Sequence, residues 1–204
     1  MDKNGSISDE DINEEYERNK TTYAKEKDHE KVLNYISENF VIPGSCENEE
    51  RKSQLQNRLE AFKKLAVGKI APDISIPDTN GSNVNFSDIP EDYTLVFFWA
   101  SWCPHCTSMF PSLSKLYEEQ KSKRWEVLAV SIDSDREAWL DELRKNDFKW
   151  INTSEVKGWN SKIANDYNIY ATPTMFLLDK DRKIIAKPLT VRELVEDLKK
   201  IKLL

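Results

Sequence analysis

One junction limits what this chain can fold into. Residues 94–100, Thr-Leu-Val-Phe-Phe-Trp-Ala, are almost wholly apolar, and Trp102-Cys103-Pro104-His105-Cys106 follows at once. An apolar run of strand length with no polar alternation suits a strand covered on both faces, as in the middle of a parallel sheet. Proline as the second residue of the cysteine motif fits the first position of a helix, where its missing N–H costs nothing. The junction therefore reads as strand, tight turn, helix. Cys103 falls at the helix N-terminus, where unpaired N–H groups and the positive end of the helix dipole favour an anion. Cys106 lies one turn along on the same side, so the two sulfurs can bridge. His105, when protonated, adds a second favourable charge. These effects favour the Cys103 thiolate, the form that attacks a disulfide.

The rest of the chain supplies a sheet around that strand. Residues 71–77 read as a short extended segment, and Asp78-Thr79-Asn80-Gly81 as a turn. Helix is expected over 104–122, strand over 126–132, helix over 135–146 and a further helix over 158–167. Strands over 174–178 and 183–186 are joined by the turn 179–182. An amphipathic helix over 190–203 closes the chain, with Leu194, Leu198 and Ile201 on one side. A βαβ half followed by a hairpin and a helix calls for a mixed sheet with helices on both faces. Before residue 69 the pattern differs. Residues 1–27 are polar, and amphipathic helices are expected over 28–41 and 48–67, the second stopped by Gly68. The chain thus divides into a helical, partly disordered extension, 1–68, and an α/β domain, 69–204.

Composition excludes some functions. A formal net charge of −6 argues against non-specific affinity for nucleic acid or an anionic membrane surface. No apolar run approaches the ~20 residues that span a bilayer, so no transmembrane segment is expected. The opening Met-Asp-Lys-Asn-Gly lacks the apolar stretch of a leader, and the sequence reads as soluble. Three cysteines with one close pair make a poor disulfide framework and a good redox pair with one bystander, Cys46. Half of a structural zinc site would need two more ligands, and only Cys46, His29 and His105 are at hand. His29 reads as a solvated helix position. Trp125, Trp139, Trp150 and Trp159 read as core or half-buried packing.

The stretch Phe98-Trp99-Ala100-Ser101-Trp102-Cys103-Pro104-His105-Cys106 resembles the active-site segment of the thioredoxin superfamily, most closely its TlpA/ResA-like branch. The resemblance spans about residues 69–204. It implies a thioredoxin-like α/β fold and thiol–disulfide exchange by Cys103 and Cys106, tuned by Trp102, Pro104 and His105. Tyr170-Ala171-Thr172-Pro173-Thr174 resembles the family's cis-proline strand. By that likeness Pro173 holds a cis bond facing the disulfide, and the Thr172 backbone pairs with an extended substrate. Residues 71–89 resemble the branch's added amino-terminal hairpin, and Pro111 lies where the superfamily's active-site helix commonly kinks. Two departures stand out. Phe97 and Met109 occupy positions where relatives carry an acid that relays a proton to the buried cysteine.

The exchange chemistry requires no metal or organic cofactor. The implied partners are a protein substrate bearing a disulfide or dithiol and a redox partner that regenerates the pair. Direction is left open by two opposing features. The Pro-His dipeptide resembles strongly oxidising members, whereas the branch is made up mostly of reductases, which tilts the reading to reduction. Two other activities fit less well. A copper-binding metallochaperone of this fold uses a wider cysteine spacing and a distant histidine. A peroxidase of the peroxiredoxin type needs Thr-x-x-Cys, and position 100 is Ala. The branch implies a periplasmic or cell-envelope location, the absence of a leader a cytoplasmic one.

Overall fold

The apolar run becomes β3, Tyr93–Trp99, the middle strand of a five-stranded sheet. The computed structural model describes residues 60, 61, 63–120 and 124–204. The chain divides into units Met1–Ala66 and Val67–Leu204. In the first, residues 60, 61, 63 and 64 are helical. The helix expected over 28–41, most of that over 48–67, and with them His29 and Cys46, lie outside the described residues.

In the second unit β1, Ser75–Pro77, and β2, Asn83–Asn85, form an antiparallel hairpin within the segment expected to hold one. The main sheet comprises β3, β4 (Trp125–Ser131), β5 (Ile151–Ser154), β6 (Thr174–Asp179) and β7 (Ile184–Ala186), in the order β5-β4-β3-β6-β7. β3 runs parallel to β4 and antiparallel to β6, β4 is parallel to β5, and β6 is antiparallel to β7. The helices are α1 (Pro104–Gln120), α2 (Arg136–Asn146), α3 (Lys162–Asp166) and α4 (Val191–Lys200). The sheet is mixed, as expected, and the architecture is thioredoxin-like.

Side chains of β3 alternate between two packed faces, which is why no polar residue interrupts the run. Phe97 and Trp99 meet Phe110 of α1 edge-on, with ring centroids 6.4 and 5.1 Å apart. Phe98 points the other way, to Tyr167 at 5.3 Å and Phe176 at 6.2 Å. Phe110 also packs on Phe148 at 4.8 Å, and Phe148 stacks on Trp150 at 4.5 Å. Trp125, Trp139 and Trp150 are buried, as their sequence settings suggest.

Three sequence expectations need correction. The single helix over 158–167 is two pieces, a 3-10 turn at Gly158–Asn160 and α3. They part at Ser161, whose hydroxyl caps α3 by accepting the Ala164 N–H at 3.3 Å. β5 is a strand that hydrophobic pattern does not reveal. Its Thr153 and Ser154 are buried because their hydroxyls donate to the carbonyls of Ala129 and Ser131, each at 3.0 Å. Trp159 is not core: it is 43% exposed. Helix ends differ by a few residues. Asp135 lies outside α2 as its cap, accepting N–H bonds from Glu137 and Ala138, and Thr190 caps α4.

Candidate active site

The turn between β3 and α1 is built by its own backbone. The Cys103 N–H donates to the Ala100 carbonyl at 3.1 Å, and the Cys103 carbonyl accepts from the N–H groups of Cys106 and Thr107 at 3.1 Å. Cys103 therefore occupies the N-cap of α1. The Cys106 N–H also lies 3.2 Å from Cys103 Sγ and donates to it. A serine or aspartate oxygen commonly takes this bond at an N-cap; here sulfur does. Pro104 opens the helix, where no N–H is missed. Pro111 lies inside the same helix.

Cys103 and Cys106 are joined as a disulfide, their Cα atoms 5.3 Å apart. Both cysteines are buried, the second more completely. Cys106 is fully buried at 0% exposure, whereas Cys103 retains 4%. Pro104 and His105 are exposed beside them. No acid reaches the pair from the two positions in question. Phe97 is core, and Met109 is half-buried on α1.

A second segment arrives from the carboxyl-terminal half. The Thr172–Pro173 peptide bond is cis. The Thr172 carbonyl lies 3.5 Å from Cys103 Sγ. Ladder pairing of β6 with β3 begins only at Thr174, opposite Phe98, so residues 171–173 lie beyond the end of the ladder. Among the described residues the Thr172 N–H makes no backbone hydrogen bond. Thr174 Oγ1 donates to the Ala171 carbonyl at 2.8 Å and stiffens this turn. Thus the residues singled out from sequence come together: Trp102, Cys103, Pro104, His105 and Cys106 on one turn, Thr172 and Pro173 against it.

Two neighbours escape sequence reading. Asp133, just past β4, is 1% exposed. Its carboxylate accepts the Ser101 N–H at 3.0 Å, the Ser101 hydroxyl at 2.7 Å and the Ser131 hydroxyl at 2.6 Å. Trp159 faces Trp102 with ring centroids 6.1 Å apart. Asp133 sits in an ordinary Val-Ser-Ile-Asp-Ser stretch and Trp159 in a polar one, so neither stands out in one sequence. The pairing that reveals Trp159 is long-range.

The chain matches known proteins over this same region. The AhpC/TSA family pattern covers residues 67–187. The thiol-disulfide oxidoreductase ResA of Bacillus cereus (strain ZK / E33L) is 30% identical over 125 residues, which are 61% of this chain and 70% of that protein. ResA of Bacillus thuringiensis subsp. konkukian is 30% identical over 142 residues, covering 68% of this chain and 80% of that one. Among solved structures, a thiol-disulfide oxidoreductase from Bacteroides fragilis is 32% identical, with a TM-score of 0.61 over 65% of this chain and 99% of its own. A thioredoxin-like protein from Bacteroides caccae, 25% identical, reaches a TM-score of 0.69 over 83% of this chain and 60% of its own. With the strand–turn–helix cysteine pair and the facing cis-proline in place, the chain belongs to the AhpC/TSA family and, within the thioredoxin superfamily, to its TlpA/ResA-like thiol–disulfide oxidoreductases.

Proposed function

We propose that Cys103 is the attacking thiol and Cys106 the resolving one in a two-step exchange with a protein disulfide. The observation that carries this is the asymmetry of the pair. Cys103 retains 4% exposure where Cys106 retains none, caps α1 through the Cys106 N–H and lies 3.5 Å from the Thr172 carbonyl. In the reduced enzyme the Cys103 thiolate attacks one sulfur of the substrate disulfide. A mixed disulfide forms and the other substrate sulfur leaves as a thiolate that takes up a proton. The Cys106 thiolate then attacks Cys103 Sγ and releases the second substrate thiol, and the enzyme pair is left oxidised. Two electrons pass to the substrate, and a separate dithiol partner restores the enzyme by the same chemistry in reverse.

The N-terminus of α1 supports the first step, since N–H groups and the helix dipole stabilise negative charge on sulfur. Trp102, Pro104 and His105 tune the pair. Thr172 offers its N–H to an extended substrate chain, and Pro173 holds that turn against the sulfur. The net direction is reduction, by likeness to the ResA-type branch, and the work takes place outside the cytoplasm, in the periplasm or cell envelope. The exchange domain is residues 69–204, and residues 1–68 precede it in sequence as an extension.

Equilibration of the pair against glutathione and dithiothreitol tests direction. A reductase gives a two-electron couple near about −270 mV, the thioredoxin value, whereas a couple near about −120 mV makes the protein an oxidant. Absence of any two-electron couple removes the exchange reading altogether.

A further inference from the structure

Asp133 is a buried acid that the two-step exchange does not use. It ties together two segments that are 57 residues apart in sequence, those of Trp102 and Trp159. Its carboxylate grips Ser101 twice, through N–H and hydroxyl, and so fixes the residue before Trp102. Its own carbonyl accepts the Gly158 N–H at 3.2 Å and so fixes the residue before Trp159. Ser131 completes the clamp: its hydroxyl donates to the carboxylate and accepts the Asp133 N–H at 2.9 Å. Gly158 has φ +58°, a left-handed conformation that glycine enters without cost, which lets the 3-10 turn close on that carbonyl.

The two indoles held in this way meet at 6.1 Å with a 55° tilt, yet remain 54% and 43% exposed. Single exposed apolar side chains are common on protein surfaces. Two large ones in mutual contact, each held from behind by one buried carboxylate residue, form a built surface. Trp102 adjoins Cys103 in sequence, which puts this surface next to the reacting residue. Tyr170, 64% exposed, stands two residues before Thr172 on the other segment of the site. The occupant that buries most area against two exposed indole faces is a large apolar side chain.

We infer that Trp102 and Trp159 form one two-indole wall beside Cys103 that selects disulfides flanked by a large apolar side chain, and that Asp133 is the positioning residue that holds this wall together. The inference rests on the exchange reading above and adds the class of substrate. Trp159 is the specificity-determining member, and Asp133 acts only through the two turns it grips.

The test uses two peptide–glutathione mixed disulfides, one with leucine and one with serine on both sides of the cysteine. Second-order rate constants for their reduction by the full, pre-reduced chain are read by acid quench. Each is normalised to the rate with dithiothreitol, which removes intrinsic reactivity. The wild type should favour the leucine peptide by about tenfold, a difference worth about 1.4 kcal/mol. Trp159→Ala should compress the preference to within about twofold, and Trp159→Phe should keep most of it. Asp133→Asn keeps the backbone carbonyl that holds Gly158 and loosens only the Ser101 side, so it should compress the preference in part. The double variant should lose no more than Trp159→Ala alone, because both act on one wall. Should Asp133→Asn fail to fold, Ser101→Ala removes one bond of the clamp and reports on the same ratio. A preference that survives Trp159→Ala, or is absent from the wild type, overturns the inference while leaving exchange intact. If the wild type reduces neither peptide, both the exchange reading and this inference fall.

Discussion

Removing the ring of Phe110 should cost this domain a large part of its stability. Phe110 lies one turn after Cys106 on α1 and is 2% exposed. Its ring meets Phe97, Trp99 and Phe148 edge-on, at 6.4, 5.1 and 4.8 Å. Phe→Ala changes in cores cost about 3–5 kcal/mol, least where the walls can collapse into the cavity. Here collapse is resisted. Two walls stand on the central strand β3, and the third, Phe148, is backed by Trp150 at 4.5 Å. The expected loss for Phe110→Ala is therefore about 4 kcal/mol, set against total stabilities of about 5–15 kcal/mol. Phe110→Leu separates volume from ring geometry. It keeps most of the apolar bulk but loses three aromatic pairs, each worth about 0.5–1.5 kcal/mol, so a cost of about 2 kcal/mol is expected after partial repacking. Urea unfolding by tryptophan fluorescence gives both numbers, provided the slope with denaturant is the same for all three proteins. A loss below about 1.5 kcal/mol for Phe110→Ala would refute the claim that this ring cluster anchors the active-site helix.

Other substitutions probe separate parts of the account. Tyr167 donates to the Pro72 carbonyl at 2.9 Å, and burial pushes its hydroxyl well above the usual tyrosine range. A folded-state value raised above the unfolded value of about 10 gives stability that is complete below about pH 10 and lost as pH rises further. Tyr167→Phe should thus be less stable than wild type by about 1–2 kcal/mol at pH 8, and should lose less stability between pH 9 and 11 in parallel denaturation curves. Ser161→Ala should cost about 1 kcal/mol in chemical denaturation by uncapping α3. Asp147 ends α2 in the left-handed region at φ 47°. Asp147→Gly should raise stability by about 0.5 kcal/mol, read as a higher urea midpoint.

The strongest sequence cues were those with a local physical cause. The run at 94–100 had to be covered on both faces, and β3 is. Proline after Cys103 had to open a helix, and α1 begins at Pro104. Both cysteines and the Thr172–Pro173 turn could be picked out because they sit in short motifs. What escaped reading depends on distant partners. β5 is half polar, and Thr153 and Ser154 are buried only because carbonyls on β4 accept their hydroxyls. The break at Ser161 depends on a serine that caps rather than continues a helix. Asp133 looked like any acid after a strand until Ser101, 32 residues earlier, was found on its carboxylate. Trp159 reads as packing in sequence; its exposure follows from where the 158–160 turn is tied, and that tie is the Asp133 carbonyl. The missing acids at 97 and 109, by contrast, were evident from sequence, and Phe97 has a plain structural use under Phe110.

The most direct test of the exchange mechanism is to trap its intermediate. Pre-reduced Cys106→Ala and Cys103→Ala variants of the full chain would each be mixed with a peptide disulfide and examined by intact mass and tryptic mapping. The account predicts that Cys106→Ala accumulates a mixed disulfide on Cys103 at a rate near that of the wild-type first step. It predicts that Cys103→Ala accumulates almost none on the buried Cys106. Trapping at Cys106, or at equal rates in both variants, would contradict the assignment of Cys103 as the nucleophile.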